Sequence, residues 1–171
     1  AIDVERKSLG LSLFLGKKQL KLFLLWRYQM ALDKNYMMLD SALKIANAYY
    51  DKKTLAHAKR VLYFVMDSKT IPDRIRTDCY CLAVMHDLLE DTDYDPKNLP
   101  PNFKKALELI TKPDDLTYDE YCLKIHNRAK QDYGLCARFV KLADMKDHLS
   151  QVDTLTPRLK EKYLSGLRYL L

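Results

Sequence analysis

One stretch of this chain gathers ionisable groups at the end of an apolar run: Cys81-Leu82-Ala83-Val84-Met85-His86-Asp87-Leu88-Leu89-Glu90-Asp91-Thr92. On a helix, His86 and Glu90 share one face, and Asp87 and Asp91 share the adjacent one. Burying ionised carboxylates without partners is costly, so such a run either ends in water or meets a cation. In the first case this is a charged helix end. In the second, His86 and Asp87 hold a metal, and Glu90 and Asp91 stay free for proton transfer. The missing ligands would have to come from elsewhere. His57 precedes the stretch, and Asp144 follows it at the end of Val140-Lys141-Leu142-Ala143. Two imidazoles and two carboxylates make a mixed nitrogen and oxygen shell. It suits an octahedral divalent ion with positions left for water, such as manganese, iron or magnesium. Zinc more usually takes fewer carboxylates. A divalent ion acidifies a water and neutralises phosphate charge. Glu90 and Asp91, one turn beyond the ligands, are placed to orient or deprotonate that water.

Helices must position these groups. Only 4 of the 171 residues are Gly, while Leu, Ala, Lys, Met and Tyr are plentiful, which favours helix over sheet. Apolar spacing predicts helices over 17–32, 36–50, 54–67, 73–91, 102–111, 117–133, 135–149 and 157–170. Thr54 is a plausible N-cap, Gly134 a helix stop, and Pro157 suits a first turn. No segment keeps a strand period, so the expected fold class is all-α. The length suits one domain with a sizeable core. Residues 1–35 read as an N-terminal extension with a basic amphipathic helix, and 36–171 as the domain. That basic helix would dock on the bundle or form an oligomer contact.

The net charge of +6 is spread among interspersed acids, which argues against nucleic acid as a partner. Cys79, Cys81, Cys122 and Cys136 lack metal-knuckle or redox spacing. Reduced, buried thiols in a cytoplasmic setting are expected. No apolar run approaches the roughly 20 residues that span a bilayer, so no membrane partner is expected.

The order His57, then His86-Asp87, then Asp144 resembles that of the HD-domain metal-dependent phosphohydrolases. Within that superfamily, His86-Asp87-Leu88-Leu89-Glu90-Asp91-Thr92 is similar to the His-Asp-x-x-Glu-Asp-Thr form of the RelA/SpoT-type alarmone hydrolase domain and its small single-domain relatives. Leu109-Ile110-Thr111-Lys112 resembles their segment leading to Thr-Lys, and Val140-Lys141-Leu142-Ala143-Asp144 their Val-Lys-Leu-Ala-Asp. The resemblance covers roughly residues 36–170. It implies an HD-domain helical bundle with a central metal site, usually manganese, held by His57, His86, Asp87 and Asp144. It implies that Glu90 and Asp91 serve the attacking water and that Lys141 lies near the substrate. The implied reaction is hydrolysis of a phosphate ester or pyrophosphate on a small phosphorylated substrate, a nucleotide.

The chain departs from those relatives on the substrate side. Before His57 the loop is short and lacks their guanine-stacking Arg and Pro-Tyr pair. Lys53 and its basic neighbours still offer charge to a phosphate. Where the family commonly has Asn, this chain has His148, either a substrate contact or a surface His. Four readings therefore stand open: an alarmone 3′-pyrophosphohydrolase, an HD nucleotidase or phosphodiesterase with another substrate, a nucleotide sensor without turnover, and a purely structural helical module.

Overall fold

The computed structural model describes residues 37–171. The extension expected over 1–35, with its basic helix, lies outside them. The described residues form helices and turns, with no strand among them. Helix α1 is Leu39–Tyr49 and α2 is Lys52–Asp67. Asp51, not Thr54, caps α2: its carboxylate accepts from the Thr54 N–H at 2.7 Å. The cap thus lies three residues earlier than the hydroxyl suggested, because an Asp fits the same role.

Helix α3, Asp73–Met85, is the spine of the molecule. Its last five residues, Cys81 to Met85, are all buried. A helix end that is apolar all round must be surrounded, and α3 packs against α1, α2 and two later helices. Each fully buried side chain such as Leu82 or Met85 contributes about 1.5–3 kcal/mol of hydrophobic stabilisation.

The single helix expected over 73–91 is two elements. Helix α3 stops at Met85, and a one-turn helix, α4 (Leu88–Asp91), restarts after His86 and Asp87. Asp87 has φ −93° and ψ 2°, outside the helical well. Consecutive residues on an unbroken helix diverge by about 100°. The break lets two neighbours, His86 and Asp87, turn towards the same point.

A short 3₁₀ turn, Pro96–Asn98, leads to α5, Pro101–Ile110. Helix α6, Tyr118–Arg128, opens on a reciprocal cap between Thr117 and Glu120. It ends before the expected 133. The buried Tyr121 hydroxyl donates to the Ile110 carbonyl, which ties α6 to the end of α5. Helix α7 is Asp132–Ser150, and α8 is Pro157–Leu170, as its proline and spacing predicted. Gly134 does not stop a helix. It lies in the first turn of α7, where a Cβ would collide with the Arg128 carbonyl oxygen. Its lack of a side chain serves close approach, not a turn.

Helix α7 packs against α2, α3, α5, α6 and α8. All four cysteines are buried and free, as expected. Burial pushes the Cys122 thiol up to about 11. Among the described residues, no helix is long and apolar enough to cross a membrane.

Candidate metal centre

The groups singled out from sequence meet where α2, the α3–α4 break and α7 come together. His57 lies in the second turn of α2. His86 and Asp87 occupy the break, and α7 supplies Asp144. His57 Nε2 stands 3.2 Å from His86 Nε2, 3.6 Å from Asp87 Oδ2 and 3.2 Å from Asp144 Oδ1. His86 Nε2 is 3.2 Å from Asp87 Oδ1 and 3.7 Å from Asp144 Oδ1. All four predicted ligands therefore converge.

Outer partners fix which nitrogen of each ring faces inward. The His86 Nδ1 sits 2.9 Å from the Ala83 carbonyl. A carbonyl only accepts, so Nδ1 carries the proton and Nε2 of the neutral ring presents a lone pair. The His57 Nδ1 sits 2.7 Å from Asp147 Oδ2. A carboxylate also accepts, with the same consequence. Asp147 is in turn gripped by Arg60, whose Nε and second guanidinium nitrogen donate at 2.8 and 2.9 Å. This carboxylate–histidine pairing is how proteins orient metal-binding imidazoles.

Two lone pairs facing each other and a nest of carboxylate oxygens need positive charge between them. The buried Asp144 Oδ1 has imidazole nitrogens around it but no hydrogen bond. Protons can supply part of the charge. Burial opposes protonation of His86, yet the neighbouring Asp87 and Asp144 carboxylates raise it to about 9. Burial likewise works against His57, and Asp144 and Asp147 still push it upward. Burial would raise Asp144, but Lys141 and the surrounding imidazoles hold it well below the usual carboxylate range. The donors fit a divalent ion: two nitrogens and two carboxylates, pre-aimed, with an orphaned buried oxygen among them.

The site opens into a pocket of about 860 Å³. Tyr49, Tyr50, Lys53, His57, Asp91 and His148 are among its lining residues. Burial, then the Asp87 charge, push the Asp91 carboxyl upward. Glu90 was expected to be free for proton transfer, and one of its two oxygens is engaged. It is outside that lining, and its Oε1 accepts from the Lys112 N–H at 2.5 Å. Lys141 is bonded to Asp144 Oδ2 at 2.8 Å and lies near the rings of Tyr118 and Tyr121. His148 Nε2 approaches Asp144 Oδ1 at 3.2 Å, and its ring stacks on Tyr163.

Asp147 and Tyr163 escaped the sequence reading, and Arg60, read there only as positive charge for a phosphate, turns out to grip Asp147. For Asp147 a signal existed: it lies three residues after Asp144, on the same face of α7. Arg60 is three residues from His57 on α2, which also puts the two on one face. No protein-family model matches this chain, and no curated protein matches it.

Proposed function

We propose that the chain is a divalent-metal-dependent phosphohydrolase of the HD type that acts on a nucleotide. An alarmone 3′-pyrophosphohydrolase is the leading specific form. The observation that carries the reading is the convergence of His57, His86, Asp87 and Asp144, with both imidazoles locked so that Nε2 faces the carboxylates. Those four residues would hold the ion, with manganese expected ahead of iron or magnesium. When bound, it would supply Lewis acidity towards a phosphoryl oxygen and an acidified water.

The chain's own residues supply the rest. Asp147 and the Ala83 carbonyl hold the two imidazoles in register. Asp91 lines the pocket beside Asp87, and its raised carboxyl is suited to accept a proton from the attacking water. Glu90, one turn beyond the ligands, shares with Asp91 the task of orienting or deprotonating that water, and its Oε1 also braces the segment that starts at Lys112. Lys53 brings positive charge to the pocket for a phosphate. Lys141 balances the second oxygen of Asp144 from the protein side.

The test is incubation of the purified protein with manganese and a panel of nucleotides that includes guanosine tetraphosphate. Release of phosphate or pyrophosphate that vanishes in Asp87→Ala is the expected result. Nucleotide binding with no product from any member of the panel would make the protein a sensor and overturn the enzymatic reading.

A further inference from the structure

His148 has an environment that neither a surface residue nor a simple substrate contact needs. Its Nε2 lies 3.2 Å from Asp144 Oδ1, the buried oxygen that lacks a hydrogen bond. Its ring centroid is 4.7 Å from that of His57. On Tyr163 it lies nearly parallel, with centroids 5.0 Å apart and an interplanar angle of 10°. Tyr163 is itself buried in the core. The stack sets the plane of the ring, and Nε2 is turned towards Asp144, while 41 % of the side chain faces solvent. Ligand atoms of His57, Asp144 and His148 all lie within 4.8 Å of one another, as do those of His57, His86 and Asp87. Asp144 and His148 are four apart on α7, the spacing that lets two side chains of one helix grip one ion.

We propose that His148 is a fifth protein ligand, which makes the centre a three-histidine, two-carboxylate site. This rests on the metal-centre reading given above and refines it. A third imidazole changes which ion the centre prefers. Imidazole favours iron, cobalt, nickel and zinc, whereas carboxylate and water suit manganese and magnesium. The third nitrogen therefore tilts the selection towards the first group and revises the order given for four ligands, placing iron ahead of manganese. It also takes a position that a two-histidine centre would leave to water, on the side that faces the pocket.

Cobalt is the probe, since its visible spectrum reports coordination. The chain of 171 residues and two variants, His148→Asn and His148→Ala, are titrated with cobalt and, separately, with manganese. Asparagine keeps a polar side chain of similar reach without the imidazole. His148→Asn is expected to lose about tenfold or more in cobalt affinity, a loss of the size seen when metal-site partners are removed. Manganese affinity falls much less, so the cobalt-to-manganese ratio drops. The cobalt-loaded wild type shows three sets of hyperfine-shifted imidazole resonances, and His148→Asn shows two. Free imidazole added to His148→Ala restores the wild-type visible spectrum, because the pocket admits a small ring. An unchanged spectrum and affinity ratio in His148→Asn, with cobalt bound to both proteins, would overturn this inference alone. Failure of the wild type to bind either ion would overturn the metal centre itself, and this inference with it.

Discussion

Asp147 does for His57 what the Ala83 carbonyl does for His86, and the difference between them is charge. A backbone carbonyl cannot be removed by mutation; a carboxylate can. Asp147→Asn keeps the shape, halves the grip on Arg60, and lets the His57 ring flip. The metal dissociation constant is expected to rise about 10–100-fold, measured by calorimetric titration. The stability loss stays near 1–2 kcal/mol in denaturant unfolding, because the Arg60 side chain is 45 % exposed and can turn to water. Asp91→Asn is expected to cut turnover by about 10²–10⁴-fold while elemental analysis finds the metal content unchanged. A third residue affects stability through pH, away from the centre. Burial, with Asp132 nearby, pushes the Asp78 carboxyl up to about 6. In the unfolded chain it titrates near 3.9, so the folded state holds this proton more tightly. Its contribution is fully present below about pH 4 and is lost as pH rises through about 6, at most ~3 kcal/mol. Asp78→Asn should therefore raise the unfolding temperature at pH 7 and flatten its fall between pH 4 and 6. His86, Asp87 and Asp144 were legible because each stands at the end of an apolar run, and His57 only because those three called for a further ligand. Asp147 was harder to see: its spacing from Asp144 is a signal, but it stands among other charges, and the fold is what shows it buried.

At the scale of elements, most helices were readable from apolar spacing, and the misread boundaries have two causes. The start of α2 moved for a local reason, the Asp51 cap, whereas the α3–α4 break and Gly134 lie where tertiary packing overrides a local signal. The α3–α4 break contains no Gly or Pro, so nothing in 81–92 announces it. What imposes it is the demand that His86 and Asp87 face one point. Gly134 carried a stop signal because Gly is common past helix ends. Its actual work is to let the start of α7 lie against the end of α6. Gly134→Ala would drive a Cβ into backbone, which cannot swing aside as a side chain can. A loss of about 3 kcal/mol is expected in chemical denaturation. Gly166 offers a comparison, since its nearest neighbours are side-chain atoms of Tyr118, Cys122 and Met145. Gly166→Ala is expected to cost less, as the end of Met145 can give way.

Across the whole molecule, the centre joins helices that the chain presents far apart in sequence. Loading it should stabilise the fold by mass action. At an ion concentration of about 100 times the dissociation constant the gain is about 2.7 kcal/mol. For a chain of this size that corresponds to about 5–10 °C in the unfolding temperature, reversed by a chelator. The pairing of His57 with Asp147 bridges 90 positions. Contacts of such separation carry the largest loop-closure cost, so they form late, after the local helices and their nearer partners. Timing is the consequence. An ion that needs the finished centre has little to hold in the transition state, and its whole effect falls on escape from the native state. Refolding should proceed at nearly the same rate with or without the ion, while unfolding slows by about 100-fold under the same loading, as stopped-flow chevrons would record.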